Sequence, residues 1–187
     1  MMNTRIRQSR VAALVTRMDQ AELSLCRQFN GLVHKAGARR IFQVASRLGD
    51  GVAWYVLIAA LPLLYGRHGA FVALQMAVSG LAGLLLYRDL KHRFVRERPF
   101  ITHTAITRAG VPLDRFSFPS GHTLHAVCFT ILVVNSFPPL ALVLVPLAVS
   151  IALSRVVLGL HYPSDVLVGA LIGAGMAAGA MAVLPAV

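Results

Sequence analysis

Acidic side chains are scarce in this chain: seven Asp and Glu stand against 18 Lys and Arg, which leaves a formal charge of +11 over 187 residues. Charged residues of both signs make up only 13% and hydrophobic ones 57%, whereas a soluble domain carries roughly 25% charged residues. An ordinary soluble globule is excluded by that balance. So is a basic nucleic-acid module, which would not set arginines between long apolar runs, and no nucleic-acid partner is expected. Cysteine is nearly absent: Cys26 and Cys128 are the only two, and Cys128 lies within an apolar run, so no disulfide framework is implied. No apolar core of signal-peptide type follows the first arginines, and the N-terminus is expected to be retained. Neither a repeat of solenoid period nor a low-complexity linker divides the chain.

What is present is a series of apolar runs approaching the roughly 20 residues that a membrane helix needs. They cover about Val52–Tyr65, Ala70–Tyr87, His122–Phe137, Leu140–Leu158 and Pro163 to the C-terminus. Pro62 and Pro146 interrupt two of them, which a packed bundle tolerates. Gly169, Gly173, Gly175 and Gly179 form a small-residue stripe, a packing face within the bundle or, alternatively, a dimer interface. Residues 1–49 carry nine basic residues, yet Leu14, Met18, Ala21, Leu25, Phe29 and Leu32 recur at helical spacing, and Ile41, Phe42, Ala45 and Leu48 make a second stripe. The expected architecture is therefore all-α: a multi-pass membrane bundle of about five transmembrane helices, residues 50–187, preceded by a basic interfacial segment, residues 1–49, lying against anionic lipid.

Three polar clusters interrupt the apolar sequence. The first is Lys91-His92-Arg93-Phe94-Val95-Arg96-Glu97-Arg98-Pro99, after the second run, opening a connection of about 30 residues that is long enough to suggest local structure or function. The second is Pro119-Ser120-Gly121-His122, at the start of the third run. The third is Ser154 to Asp165, between the fourth and fifth, and holds Arg155, His161 and Asp165. Ionisable groups beside membrane segments are costly to keep and mark function by default. If successive spans alternate direction, all three clusters reach one membrane face.

Together they make an oxyanion site with a nucleophile. Ser120 and Gly121 at a helix start offer a hydroxyl and backbone N–H groups at the positive end of the dipole, which suits phosphate. Lys91, Arg98 and Arg155 add cationic donors, and the guanidinium fork matches phosphoryl oxygens in pairs. His161, oriented by Asp165, is placed to attack phosphorus, and His122 to protonate the leaving oxygen. His125 lies one turn from His122 but lacks the His-Glu-x-x-His grouping of a zinc hydrolase, so neither a metal nor another cofactor is expected, and His125 reads as pocket lining. His92, His103, Arg93, Arg96 and Arg108 read as a solvated basic loop, flanked by Phe94, Phe100, Phe116 and Phe118 as interface anchors.

The three blocks, Lys91 to Pro99, Pro119 to His122 and Ser154 to Asp165, resemble the type 2 phosphatidic acid phosphatase superfamily at every position of its signature. The Leu48-Gly49-Asp50-Gly51 run, with Trp54 behind it, also looks like bacterial members. The resemblance implies a phosphohistidine on His161, with His122 as acid and then base, Asp165 as the orienting carboxylate, and Lys91, Arg98, Ser120, Gly121 and Arg155 around the phosphoryl group. It further implies a lipid phosphate or pyrophosphate substrate, with undecaprenyl pyrophosphate preferred and phosphatidate or phosphatidylglycerophosphate as alternatives. A non-catalytic anionic-lipid binder or transporter would use the same cations, but would not need the nucleophile.

The expected location is the bacterial inner membrane. Five spans put 17 of the 18 basic residues on the face of the site, which by the positive-inside rule is cytoplasmic. The resemblance implies the periplasmic face.

Overall fold

The computed structural model describes residues 20–184; the beginning of the N-terminal stripe, Leu14 and Met18 included, lies outside them. Among the described residues the chain is helical and forms no strand, with one isolated bridge between Glu97 and Phe116. Helix α1 (residues 20–30) leads through a 3-10 turn (Gly31–His34) into α2 (Ala36–Leu48). After a short turn come α3 (Val52–Phe94), the single-turn α4 (Pro99–Thr102) and α5 (Gly121–Ser136). A 3-10 turn at Pro138–Leu140 then leads into α6 (Ala141–Val157), and α7 (Pro163–Val183) closes the bundle.

Among the described residues three helical stretches are long and apolar enough to cross a membrane: Val52–Phe94, Pro138–Val157 and Pro163–Val183. Helix α5 is equally apolar but has only 16 residues, about 24 Å. Large aliphatic side chains on the outside, such as Leu63 and Leu142, are more than four-fifths exposed, as a bilayer-facing surface requires.

The 43 residues of α3 are not one rod. Gly66 has φ 58° and ψ −136°, a conformation open to glycine, and the helix is broken there. Trp54 packs edge-on against Phe129 with ring centroids 5.5 Å apart, while Gly80 approaches so closely that a Cβ would lie 2.9 Å from the same ring. In a continuous helix, positions 54 and 80 would be about 39 Å apart. The chain therefore folds back at Gly66. A Cβ on Gly69 would come within van der Waals overlap of the Leu61 carbonyl, so the returning half needs glycine where it leaves the bend. Both ends of α3 consequently lie at the same end of the bundle.

Helix α5 runs through the centre, between the α3 hairpin, α6 and α7, with Leu124, Ala126, Cys128, Phe129 and Leu132 buried. In lipid the hydrophobic effect does not drive helices together, so close packing must. Small residues supply it: Gly80 and Gly83 face Phe129 and Leu124, and Gly169 and Gly173 face the backbone of Ser120 and Leu124.

The segment before Val52 packs across one end of the bundle. Buried Asn30 donates to the carbonyls of Thr107 and Val157, both at 2.9 Å, and accepts from Thr107 N–H at 2.7 Å. Its amide thereby ties α1 to the 95–120 connection and to the end of α6. Phe42 of α2 packs on Val157, Leu158 and Leu160, whereas Ile41 of the same expected stripe is exposed. The inward face of α2 is turned towards Ala45 and Ser46.

Candidate active site

Both ends of α3, the N-terminus of α5, the C-terminus of α6 and the N-terminus of α7 meet at one end of the bundle. They surround a cavity of about 470 Å³. Of the eight residues singled out from sequence, Lys91, Arg98, Gly121, His122, Arg155 and His161 line it. Its other wall is apolar: Trp54, Ile58, Met76, Leu81, Leu84 and Phe129 carry it down between the α3 hairpin and α5.

His161 sits in the turn between α6 and α7 and is 1% exposed. Gly159, at φ 74°, lets the chain turn back so that the amides of Leu160 and His161 both donate to the Arg155 carbonyl at 3.0 Å. The guanidinium of Arg98 donates to the Leu160 carbonyl at 2.8 Å and stands 3.1 Å from His161 Nε2. Arginine has no acceptor, so Nε2 is the unprotonated nitrogen and Nδ1 carries the hydrogen. Nδ1 faces Asp165 Oδ2 at 3.6 Å, beyond hydrogen-bond reach, and has no other partner among the described residues. Burial, followed by the charges of Arg98, Arg155 and Lys91, holds the His161 pKa well below the ordinary imidazole value. A neutral ring with a bare Nε2 is the form a nucleophile needs.

Asp165 lies in the first turn of α7 and is fully buried. Its Oδ2 accepts from Tyr162 N–H at 2.8 Å and its Oδ1 from Arg96 at 2.8 Å. Arg96 also reaches Glu22 of α1 at 2.7 Å and Ser164 Oγ at 2.7 Å, and lies 4.0 Å from the Tyr162 ring centroid. Arg96 is therefore not part of a solvated loop: it is the counter-charge of the buried carboxylate.

The cationic groups hold an anion already. Asp114 accepts from Lys91 Nζ at 2.6 Å and from Arg98 Nη2 at 2.9 Å, and its backbone carbonyl accepts from Arg98 Nε at 2.9 Å. Its carboxylate oxygens take up donors of Lys91 and Arg98 that a phosphoryl group could otherwise use. Burial opposes ionisation there, but the bond from Lys91 and the charges of Lys91 and Arg98 outweigh it and hold the Asp114 carboxyl below the usual range. Arg155 is buried, donates to Ser46 Oγ of α2 and leaves Nε unpartnered among the described residues.

His122 opens α5, and its Nε2 lies 2.6 Å from Asp50 Oδ1. That hydrogen bond holds the Asp50 carboxyl below the usual range, against the opposing effect of burial. His125 lines the cavity with Nδ1 2.9 Å from the Gly121 carbonyl and Nε2 3.0 Å from that of Gly80. Ser120 is placed off the cavity wall. It is the N-cap of α5, its Oγ 3.0 Å from Thr123 Oγ1, and its N–H donates to the Asp165 carbonyl at 3.0 Å. In this arrangement the Ser120 hydroxyl serves the helix, and the neighbouring Gly121 faces the cavity.

Sequence reasoning gave no role to Asp114, Ser46 or Glu22, and noticed Asp50 only within its Gly-Asp-Gly run. For Asp114 the available signal was the scarcity of acids: few carboxylates are present to balance the buried cations.

This end of the bundle is built to hold an anionic group beside a neutral histidine and above an apolar groove. Residues 69–187 match the family model of the PAP2 superfamily, and the chain belongs to that superfamily. Over 160 residues it is 34% identical to the decaprenylphosphoryl-5-phosphoribose phosphatase of Mycobacterium tuberculosis, covering 80% of this chain and 82% of that protein. It is 31% identical over 116 residues to the undecaprenyl-diphosphatase BcrC of Bacillus subtilis, covering 62% and 60%. In fold it is similar, with a TM-score of 0.73 at 23% identity, to the crystal structure of a transmembrane PAP2-type phosphatidylglycerolphosphate phosphatase from Bacillus subtilis, covering 89% of this chain and 86% of that one. The protein is a membrane hydrolase acting on lipid phosphates.

Proposed function

We propose that this enzyme removes a terminal phosphate from a polyprenyl-linked substrate, with undecaprenyl pyrophosphate as the leading candidate. The observation carrying this reading is the single cavity in which the cations Lys91, Arg98 and Arg155 share walls with the apolar groove below His122. A long apolar tail and an anionic head fit such a cavity together. The stronger match to a decaprenylphosphoryl-5-phosphoribose phosphatase favours one second reading, a phosphomonoester on a polyprenyl-linked sugar.

The phosphoryl group displaces the Asp114 carboxylate from Lys91 and Arg98, and the Gly121 amide and Arg155 complete its cradle. His161 Nε2 attacks phosphorus. The bond from the attacked phosphorus to its leaving oxygen breaks, the bridging oxygen of a pyrophosphate or the ester oxygen of a monoester; the electron pair stays on that oxygen, and a proton from His122 follows it. Water then attacks the phosphohistidine and gives its proton to His122, and the P–N electron pair returns to His161. Asp165, facing Nδ1 at 3.6 Å, offsets the positive charge that develops on the His161 ring, and the fixed cations stabilise the charge on the transferring group without a metal.

In this reading the two halves of α3 cross the bilayer separately and α5 crosses as well. Residues 50–187 then form a five-span catalytic domain in the bacterial inner membrane, and residues 1–49 an interfacial segment against anionic lipid. Arg108→Cys reports the side: Cys26 and Cys128 are buried, and burial pushes the Cys26 thiol up to about 12, so an impermeant maleimide reads position 108. Labelling in intact spheroplasts puts the site outside, and protection puts it in the cytoplasm.

Purified protein in detergent with EDTA should release phosphate fastest from undecaprenyl pyrophosphate among that lipid, a polyprenylphosphoryl-5-phosphoribose, phosphatidate and phosphatidylglycerophosphate. Equal rates for wild type and His161→Ala would defeat the phosphohistidine mechanism. A preference for the glycerolipids would defeat the polyprenyl assignment.

A further inference from the structure

Two contacts to the cavity come from outside the three motif blocks and from one short stretch of chain. Ser46, in the last turn of α2, accepts from Arg155, and Asp50, four residues on, reaches His122 Nε2 at 2.6 Å. The glycines on either side bring the carboxylate there. A Cβ on Gly49 would lie 2.8 Å from Ile151 Cγ2 and 3.1 Å from His122 Cδ2, and Gly51 has φ 127°. At Gly49 a side chain would have to push Ile151 or His122 aside, and at Gly51 the positive φ disfavours one.

The electrostatics give that contact a purpose. His122 is faced by Arg155 from α6, Lys91 from α3 and Asp50 from the α2–α3 turn, with His161 and Arg98 across the cavity. Cations suited to phosphate repel a second proton on an imidazole among them. A histidine in that ring cannot serve as a proton donor unless an anion offsets the repulsion, and Asp50 is the anion in contact with it.

We propose that Asp50 is the positioning carboxylate of His122: it holds Nε2–H, leaves Nδ1 to exchange the proton, and stabilises the imidazolium that precedes leaving-group departure. The site then contains two histidine–carboxylate pairs, His161 with Asp165 for attack and His122 with Asp50 for proton transfer. When the bond from phosphorus to the leaving oxygen breaks, the Nδ1 proton moves to that oxygen. In the second half-reaction Nδ1 takes a proton from the attacking water. Asp50 stays ionised throughout.

This inference rests on the phosphatase reading, and the test separates the two. Phosphate release from undecaprenyl pyrophosphate in detergent micelles is followed against pH for wild type, Asp50→Asn, Asp50→Glu, His122→Ala, Asp50→Asn/His122→Ala and His161→Ala. Asp50→Asn is expected to lower kcat about 10²-fold, the usual worth of general acid–base help. KM should stay within about threefold, and the basic limb of the kcat profile should move at least about one unit towards acid. Asp50→Glu should recover most of the loss, and the double variant should be no slower than His122→Ala. If Asp50→Asn keeps its kcat and basic limb, or lowers KM as a displaced plug would, the proposal is overturned. Further loss on the His122→Ala background overturns it too, since the effect then does not pass through His122. Wild type no faster than His161→Ala overturns the phosphatase reading and this inference with it.

Discussion

Arg98 donates a hydrogen bond to the bare Nε2 of His161 at 3.1 Å, so the residue that would grip the phosphoryl group also guards the lone pair that would attack it. In the proposed mechanism an incoming phosphoryl oxygen exchanges one role for the other: Arg98 turns to the substrate and the lone pair is released. Burial, reinforced by the charges of Arg98, Arg155 and Lys91, keeps the ring neutral in mild acid. The acid limb of kcat/KM is therefore expected below the ordinary histidine value of about 6.5. Stability follows the same sign: the unfolded chain takes up a proton near that value while folded His161 does not, so stability falls as pH drops below it. Arg98→Gln should move the acid limb upward. A wild-type limb at 6.5 or above, in steady-state profiles, would show that the ring is not shielded from its proton.

If Lys91 and Arg98 bind the phosphoryl group, Asp114, which already accepts from both, competes with substrate for them. In Asp114→Asn the resting protein loses the carboxylate that balances two buried cations and should melt at a lower temperature. Orthovanadate, a phosphate mimic, should bind more tightly, on the order of tenfold, because it no longer displaces an anion. Inhibition constants together with melting curves with and without vanadate check both halves. Weaker vanadate binding would mean that Asp114 supports the ligand instead of standing in for it.

Arg96 neutralises Asp165 from the side away from His161. Truncation in Arg96→Ala leaves a fully buried carboxylate without its cation, held by the Tyr162 amide and the Ser117 hydroxyl. Since Arg96 itself is about one-third exposed, the expected loss is about 2–3 kcal/mol, below the full cost of breaking a buried pair. Activity should fall about tenfold in kcat with little change in KM, because the ring is held less well while the cations are untouched. Denaturant melts and steady-state kinetics separate the two effects.

The motif blocks were legible because their ionisable side chains lie at fixed spacing along short pieces of chain between apolar runs. Lys91 and Arg98 end one helix and follow it, His122 starts another, and Arg155, His161 and Asp165 span one turn between two more. The partners of those residues were not legible. Asp50 meets His122 across 72 residues, and Ser46 meets Arg155 across 109, with no periodicity linking them. Arg96 read as solvated because its neighbours are basic, but its carboxylates come from Glu22 and Asp165. Pro-Ser-Gly-His marked a helix start correctly, yet a serine there can cap the helix or donate to a ligand, and only packing decides. Likewise Gly66 was visible as a letter, while the reversal at Gly66 follows from Trp54 and Gly80 meeting the same phenylalanine.

The glycine stripe of α7 divides into two kinds of position, and mutation should divide it the same way. A Cβ on Gly169 would lie 2.6 Å from the Ser120 carbonyl, and one on Gly173 2.3 Å from that of Leu124. Both obstacles are backbone, which cannot swing aside as a side chain can. Gly175 and Gly179 have nothing within 4 Å of the added atom. Alanine at 169 or 173 should push α7 off α5 and cost about 1–3 kcal/mol, the usual price of overpacking. Gly169→Ala should also slow turnover, since it displaces Ser120 and with it the cap that sets Gly121 and His122. Alanine at 175 or 179 should leave both activity and melting temperature unchanged, and should raise helix propensity slightly. If Gly175→Ala or Gly179→Ala instead destabilises the protein in a concentration-dependent way, that half of the stripe faces a second copy of the chain. Thermal melts at several protein concentrations, alongside phosphate release, distinguish these outcomes.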